Sequence, residues 1–183
     1  MWIPEEMREH QRAYTLTDVN RQAASAHILV FHHEPNGPAS RWALTTVPGD
    51  KVSVQIMGGT RYRTPAPGQS MLLVGDPASA PAMVEAVDAA DASCRIIVVL
   101  QFGDDFSLLP GREHWLICVL PEDPAALADA VREALGRARP DWAWVALESA
   151  ATKSIRRLVG SAGVPRRAIQ VIEIGRASCR ERV

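Results

Sequence analysis

The sequence lacks most features that would identify a secreted, membrane-spanning or nucleic-acid-binding protein. Its three cysteines are scattered and lack metal-ligand spacing, which argues against a disulfide framework or a zinc site and favours a reducing compartment. No apolar run approaches the roughly 20 residues of a bilayer span, and the start MWIPEEMREH does not resemble a signal peptide. Lysine and arginine total 20 against 21 acidic residues. Without a basic excess we expect no nucleic-acid partner. The cysteine pattern and the missing apolar run together predict a cytoplasmic protein without membrane insertion.

The composition is that of an ordinary globular chain that can bury a core. Its 183 residues are enough for one large domain or two small ones, with 47% apolar and 22% charged residues. The last eleven residues, EIGRASCRERV, differ abruptly from the strand-like RAIQVI before them. They closely resemble translated sequencing-adapter DNA, so we expect residues 173–183 to be a non-native tail that takes no part in the fold.

The N-terminal third has the pattern of antiparallel β-structure. RAYTLTDV and SAHILVFH have the composition of strands, and the polar NRQAA between them predicts a turn. PASRWALT predicts a short helix with Pro38 in its first turn, and KVSVQIM alternates like a strand. We therefore predict an incomplete antiparallel β-barrel over residues 1–64, followed by a linker in GGTRYRTPAPGQS, which is rich in glycine and proline.

From residue 70 onward, continuous apolar strands alternate with helices. SMLLVGD, CRIIVVLQF and WAWVALE are examples of the strands. EDPAALADAVREALGRARP is a well-marked helix, with Asp123 as its cap and Pro124 at its first position. Strands that are apolar on both faces indicate a parallel sheet with helices on each side. We predict a three-layer α/β domain of the nucleotide-binding type over residues 70–172.

Two short segments of the N-terminal third suit a phosphate-bearing ligand with a flat ring. In NGPASRW, Gly37 permits close backbone approach, and the helix that begins near Pro38 leaves N–H groups without partners beside the Ser40 hydroxyl. In RAYT, a strand would place Arg12 and Tyr14 on one face. Each segment also has a plain interpretation, as a turn in the first case and as ordinary core and surface positions in the second.

A third candidate lies in VGDPASAPAM, where a strand, a turn and the start of a helix follow one another. Open α/β sheets bind ligands at such a point, although the spaced glycines of G-x-G-x-x-G are absent here. His32 and His33 do not predict a metal site, because adjacent strand residues face opposite ways and no third ligand is near in sequence. Among the tryptophans, we consider Trp42 as a cofactor neighbour.

Taken in order, these segments resemble the siderophore-interacting protein family of FAD-dependent ferric-siderophore reductases, which is related more distantly to ferredoxin–NADP reductases. RAYT resembles the R-x-Y-[ST] flavin motif, and HHEPNGPASRWA resembles H-x-x-x-G-P-A-S-x-W-A, with His33 at the motif histidine. LLVGDPASAPAM resembles the first strand of the family's nucleotide domain. WAWVALESAATKSIRRL resembles W-V-A-G-E-x-x-x-x-x-x-L-R-R-x-L. The resemblance covers roughly residues 8 to 172.

The resemblance implies a reaction and the residues that bind its cofactors. FAD would take hydride from NADPH or NADH and pass electrons singly to the iron of a ferric siderophore, which releases the reduced metal. Tyr14 would pack on the isoalloxazine ring, Thr15 would hydrogen-bond its redox-active edge, and Arg12 would neutralise phosphate charge. Gly37, Ala39 and Ser40 would carry the pyrophosphate. The implied cofactor-binding positions are Arg12, Tyr14, Thr15, His33, Gly37, Pro38, Ala39, Ser40, Trp42, Gly75, Asp76 and Glu148.

The sequence departs from the family pattern in three places. Only eleven residues precede Arg12, where the family has further barrel strands, so the chain resembles a copy that is truncated at its start. Pro77 and Ala78 replace an acid and a threonine of the nucleotide turn, and Leu147 replaces a glycine. These departures keep two alternatives open. One is a non-catalytic flavin- or siderophore-binding protein with a decayed nicotinamide site, and the other is a general flavin reductase without siderophore preference.

Overall fold

The computed structural model of the chain describes residues 1–5, 8–32, 36–56, 62–102, 115–120 and 123–174. The chain forms two compact units, Met1–Thr60 and Arg61–Val183. The domain limits that the sequence suggests, residues 1–64 and 70–172, stay a prediction that limited proteolysis would test. Among the helices of the described ranges, none is both long and apolar enough to cross a membrane.

The described residues of the N-terminal unit form two antiparallel hairpins and one short helix. Strand β1 (Trp2–Glu5) pairs with β2 (Arg8–Gln11), and β3 (Leu16–Asn20) pairs with β4 (Ser25–Ile28). The helix, α1, spans Pro38–Thr45. The antiparallel β-structure predicted at this end of the chain is confirmed, and its described strands form two separate two-stranded sheets.

The first predicted strand, RAYTLTDV, begins later than the sequence suggests. Arg12 continues the hairpin of β1 and β2, because its N–H donates to the Met1 carbonyl at 2.8 Å and its carbonyl accepts from the Met1 amino group at 2.9 Å. The strand that pairs with β4 starts only at Leu16. The polar opening MWIPEEMREH gave no pattern from which β1 and β2 could be predicted.

The predicted strand KVSVQIM is also different in the structure. Within its described part, residues 51–56, it makes only a single bridge, between Ser53 and Trp2. The alternating apolar side chains Val54 and Ile56 are 52% and 73% exposed. Because no apolar layer of the described residues covers them, alternation alone does not produce a paired strand here.

In the C-terminal unit, the part that the structure describes is a five-stranded parallel sheet with helices on both faces. Its strands lie in the order β7-β6-β5-β8-β9. The strands are β5 (Ser70–Gly75), β6 (Arg95–Gln101), β7 (Trp115–Leu120), β8 (Trp142–Leu147) and β9 (Ile169–Glu173). The helices are α2 (Ala80–Asp88), α3 (Pro124–Arg137) and α4 (Ser149–Ser161), and a 3₁₀ turn spans Arg166–Ala168. The prediction of a three-layer α/β domain is confirmed.

Two apolar layers sandwich the sheet. On one face, alternate residues of the central strands such as Met71, Leu73 and Trp144 pack with α2. On the other face, residues such as Leu72 and Val74 pack with α3 and α4. Both central strands are therefore buried on both sides, which is why their sequences are continuously apolar. The last strand, β9, includes Glu173, one residue beyond the limit that the sequence suggested.

Candidate functional site

The parallel sheet has a switch point between β5 and β8. The chain leaves β5 through α2 on one face, whereas it reaches β8 from α3 on the opposite face. Gly75 at the end of β5 lies opposite Ala146 near the end of β8. Open α/β sheets bind ligands in the crevice at the carboxyl ends of the strands where the order reverses. Asp76 and Glu148, two of the predicted site residues, follow these two strand ends.

Asp76 holds the turn that leads into α2. Its carboxylate accepts the Ser79 N–H at 3.1 Å, and its own N–H donates to the Ser79 hydroxyl at 2.9 Å. That hydroxyl in turn donates to the Asp76 carbonyl at 2.8 Å. Burial raises the pKa of Asp76, and hydrogen bonds from the turn backbone oppose the shift. Asp76 therefore organises the backbone at the switch point, and this role needs no ligand.

Gly75 is required by contacts within the protein. A Cβ on this residue would lie 2.0 Å from the Ser79 Oγ and 2.3 Å from the Met83 Cε. Such distances are far below van der Waals contact, so a side chain here would displace the Ser79 hydroxyl from its hydrogen bonds with Asp76 and would move the end of the Met83 side chain. The predicted role of Gly75 in cofactor binding stays a prediction, since packing alone accounts for the glycine.

Glu148 is the N-cap of α4. Its carboxylate accepts the Ala150 N–H at 3.2 Å. The preceding residue, Leu147, is only 1% exposed, and its side chain belongs to the apolar layer beneath α3 and α4. The leucine that replaces the family's glycine therefore points into the core, and it does not add bulk at the ligand side of the strand end.

The amino end of α1 has the features of a phosphate site. The N-cap, Gly37, has an extended backbone and supplies no side-chain cap, and the Arg41 N–H makes the bond to the Gly37 carbonyl at 3.0 Å. The N–H groups of Ala39 and Ser40 come before this first helical hydrogen bond, so they have no acceptor within the helix. They point out of its amino end, which carries the positive end of the helix dipole. A Cβ on Gly37 would meet no described atom within 4 Å. An anionic group therefore has both donors and space at this position.

The flanking residues of α1 divide between the core and the surface. Pro38 and Ser40 are buried, while Ala39 and Trp42 are half-buried. Pro38 lacks an N–H, but it costs the helix no hydrogen bond, because an N–H in the first turn would have no acceptor within the helix. The predicted site residue His33 lies outside the described residues.

The segment Arg12–Thr15 is an irregular connection between β2 and β3. Arg12 and Tyr14 are half-buried and Ala13 between them is exposed, as alternation predicts, but Thr15 is also half-buried, so the alternation ends at Tyr14. Burial raises the pKa of Tyr14, and the nearby Arg12 charge opposes that shift. A guanidinium and a phenol ring are thus neighbours, as an anionic ligand with a flat ring requires.

Strand β1 lies beside both candidate segments, the amino end of α1 and Arg12–Thr15. Helix α1 packs against β1, and Met1, directly before β1, makes both backbone hydrogen bonds to Arg12. The two predicted flavin segments therefore adjoin the same strand. The arrangement fits FAD, which needs donors for its pyrophosphate, a cation and an aromatic surface.

Sequence reasoning missed Ser79, which makes every side-chain hydrogen bond of the switch-point turn named above. The spacing Asp-x-x-Ser in GDPAS is typical of a turn closed by hydroxyl and carboxylate groups, and that signal could have identified it. Pro77 and Ala78 occupy the two middle positions of this turn, and the turn forms with both present. In the described part of the chain, no three His, Cys, Asp or Glu side chains are grouped closely enough to hold a metal ion.

Two family models match the chain in the order of its two units. Residues 1–60 match the siderophore-interacting FAD-binding domain, which supports FAD as the cofactor. Residues 68–173 match the model of the siderophore-interacting protein. Together the two matches cover both compact units.

The chain is also similar to part of a curated transport protein. The mycobactin import ATP-binding/permease protein IrtA of Mycolicibacterium smegmatis is 34% identical over 178 residues, which is 90% of this chain and 20% of that protein. IrtA of Mycobacterium tuberculosis is 34% identical over 179 residues, with the same two coverages of 90% and 20%. The chain thus spans about a fifth of the length of these curated relatives.

Solved structures have the same arrangement of elements. A siderophore utilization protein from T. fusca aligns with a TM-score of 0.76 at 26% identity, over 94% of this chain and 69% of that one. The siderophore-interacting protein SipS from Aeromonas hydrophila aligns with a TM-score of 0.68 at 20% identity, over 91% of this chain and 68% of that one. Since the family model also matches more than half of the sequence, the chain belongs to the siderophore-interacting protein family.

Proposed function

We propose that the protein binds FAD and uses NADPH or NADH to reduce ferric siderophores. The observation that carries the proposal is the uncapped amino end of α1, with open space at Gly37, in a segment that matches an FAD-binding domain model. Residues of this chain bind and orient the cofactor. When bound, FAD supplies the conversion of a two-electron donor into one-electron steps, and the reduced iron is held less tightly by hard oxygen ligands.

Three groups of the N-terminal unit would hold FAD. The N–H groups of Ala39 and Ser40 and the positive end of α1 would bind the pyrophosphate. Tyr14 would cover one face of the isoalloxazine ring, with Thr15 at its redox-active edge. The Arg12 guanidinium would balance phosphate charge. The partial burial of Tyr14 supports this assignment, because a half-buried ring keeps a surface on which a ligand can stack.

The C-terminal unit would bind the nicotinamide cofactor at the carboxyl ends of β5 and β8. The reversal of strand order between them supports this position. Asp76 and Glu148 would border the crevice, and the turn around Ser79 would position the start of α2. The burial of Leu147 removes one of the arguments for a decayed nicotinamide site, because its side chain lies in the core.

The relatives suggest the biological setting. IrtA is named for the import of mycobactin, and the two solved relatives are named for siderophore interaction or utilization. We propose that this chain acts on siderophores in the cytoplasm, where iron is released after uptake. A ferric siderophore is thus its proposed substrate.

An anaerobic spectroscopic experiment tests the function. The chain is incubated with FAD, freed of excess cofactor and titrated with NADPH or NADH, and a ferric siderophore is then added with a chelator that colours ferrous iron. Bleaching of the flavin band followed by ferrous colour is the expected result. The same titration with ferric citrate in place of the siderophore measures substrate preference.

The three interpretations predict different outcomes of this experiment. A flavin band that nicotinamide does not bleach would support the non-catalytic binding protein. Bleaching with equal reduction of ferric citrate and ferric siderophore would support a general flavin reductase. A folded protein that takes up no FAD would rule out both reductases and any flavin-binding role, and only a siderophore-binding protein without flavin would remain.

A further inference from the structure

Helix α4 and the 3₁₀ turn after it carry a concentration of positive charge. Residues 149–172 contain five cationic residues and no aspartate or glutamate. The cations are Lys153, Arg156, Arg157, Arg166 and Arg167. Of the 20 cationic residues in the chain, 15 therefore remain elsewhere against all 21 acidic ones. This short segment therefore has a net charge of +5, whereas the rest of the chain has a net charge of −6.

These cations have no counter-charge within the described residues. All five are exposed, and no ion pair joins any of them to a described carboxylate. The neighbouring helix α3 is different, since its Arg132 pairs with Asp129 and its Arg137 pairs with Glu133. The dipole of α4 does not account for the cations, because the last turn of the helix contains none of them.

Four of the cations line one groove. Its volume is about 510 Å³, and Lys153, Arg156, Arg157 and Arg166 lie around it. Residues 153, 156, 157 and 160 share a face of α4, because 156 and 157 are each three or four positions from both 153 and 160. Gly160 widens the groove, since a Cβ there would meet only the Ile169 Cδ1, at 3.8 Å.

We propose that this groove binds a small soluble ligand that carries two or more phosphate groups. Arginine presents planar donors that match phosphate oxygens in pairs, and lysine adds a compact charge. The volume lies in the usual range for small-molecule sites. A flat membrane surface would be a poorer partner, because the groove is concave and its apolar residue, Ile169, is only 7% exposed. The proposal does not rest on the proposed function, since it uses neither FAD nor nicotinamide.

Calorimetric titration of the full chain with sodium pyrophosphate tests the proposal. We expect saturable pyrophosphate binding that persists in Gly37→Asp, which excludes the amino end of α1 as its site, and that added salt weakens because the contacts are between exposed charges. Replacing both Arg156 and Arg166 by Gln should weaken the affinity by about tenfold or more, since two charge-assisted contacts are lost. Arg137→Gln is the control for removal of a single positive charge from an exposed position on α3, and it should leave the affinity within about twofold.

A second variant blocks the groove without removing any side chain that could support the fold. Gly160→Glu places a carboxylate in the groove, at a helical position with space for a side chain. It should keep the circular dichroism spectrum and melting temperature of the native chain while removing the pyrophosphate binding that persists in Gly37→Asp.

Several outcomes would overturn the proposal. These are the absence of saturable pyrophosphate binding, unchanged affinity in the double arginine variant, and unchanged affinity in Gly160→Glu. Binding to phosphatidylglycerol vesicles without binding to pyrophosphate would also overturn it, since the site would then recognise a membrane surface.

Discussion

The carboxylate of Asp141 accepts two hydrogen bonds from Ser70, one from the backbone N–H at 2.7 Å and one from the hydroxyl at 2.9 Å. Asp141 returns its own N–H to the Ser70 carbonyl at 2.9 Å. Ser70 is the buried first residue of β5, and Asp141 directly precedes β8. The pair therefore joins the two central strands at the end opposite to the switch point.

Asp141→Ala should lower the free energy of unfolding by about 1.5–3 kcal/mol, because two Ser70 donors lose a charged acceptor. Urea denaturation measures the difference. Asp129→Ala is the control, since Asp129 is an exposed partner of Arg132 on α3, and it should cost about 0–1 kcal/mol. Equal effects of the two substitutions would contradict the role assigned to Asp141.

The same pair predicts a dependence on pH. The hydrogen bonds from the Ser70 backbone and hydroxyl hold the pKa of Asp141 below its ordinary value of 3.8. Between the folded-state pKa and pH 3.8, the unfolded chain therefore binds more protons than the folded chain, so the free energy of unfolding increases with pH in this range. The contribution of Asp141 should be complete above pH 3.8 and should disappear as the pH falls through the folded-state pKa. Urea denaturation in neutral and acidic buffers should show the difference between native chain and variant shrinking in acid.

Gly75→Ala should destabilise the C-terminal unit by about 1–3 kcal/mol, because the new methyl group would displace Ser79 and Met83 from β5. Thermal unfolding followed by circular dichroism measures the loss. Gly136→Ala in α3 is a control with the opposite expected sign, since nothing lies within 4 Å of its Cβ position. It should stabilise the protein by about 0.5–1 kcal/mol through helix propensity. A neutral Gly75→Ala would contradict the packing role assigned to Gly75.

Gly37→Asp should separate ligand binding from stability. Aspartate is a better N-cap than glycine by a few tenths of a kcal/mol, and the site has space for it, so α1 should be at least as stable. Its negative charge would repel the FAD pyrophosphate. Gly37→Asn is the isosteric neutral control, and we expect FAD to bind Gly37→Asp about tenfold or more weakly than Gly37→Asn. Equal FAD affinities of the two variants would exclude the amino end of α1 as the pyrophosphate site.

Leu147→Gly tests the interpretation of a decayed nicotinamide site. Because Leu147 is buried against α3 and α4, its removal should cost about 2–5 kcal/mol of stability through the cavity that it leaves. The rate of flavin reduction by NADPH should not increase, since the side chain does not occupy the ligand side of β8. A stable variant with faster flavin reduction would support the decayed site instead.

The α/β unit could be predicted from the sequence almost completely, whereas the N-terminal unit could not. Strands such as Ser70–Gly75 and Trp142–Leu147 are buried on both faces, so their residues form continuous apolar runs that identify them. The strands near the N-terminus are short and partly polar, and Arg8–Gln11 has no apolar periodicity at all. Their pairing depends on distant partners, such as Ser53 with Trp2, which no local pattern reveals.

The candidate site shows the same limit at single residues. The start of α1 at Pro38 could be predicted, because a glycine followed by a proline is typical of the first turn of a helix. The packing role of Gly75 could not be predicted, since it depends on where Ser79 and Met83 lie in the folded chain. The direction of the Leu147 side chain follows from the register of β8 with its neighbours, which the sequence does not specify.

The central claim, that Tyr14 stacks on FAD, is tested most directly by titrating FAD into the native chain and into Tyr14→Ala. Flavin fluorescence reports the binding, and Tyr62→Phe in the C-terminal unit is the control. Tyr14 stacking predicts that the native chain and Tyr62→Phe bind FAD equally well, and that Tyr14→Ala binds it about tenfold more weakly. A folded native chain that does not bind FAD, or a Tyr14→Ala variant with native affinity, would contradict the account.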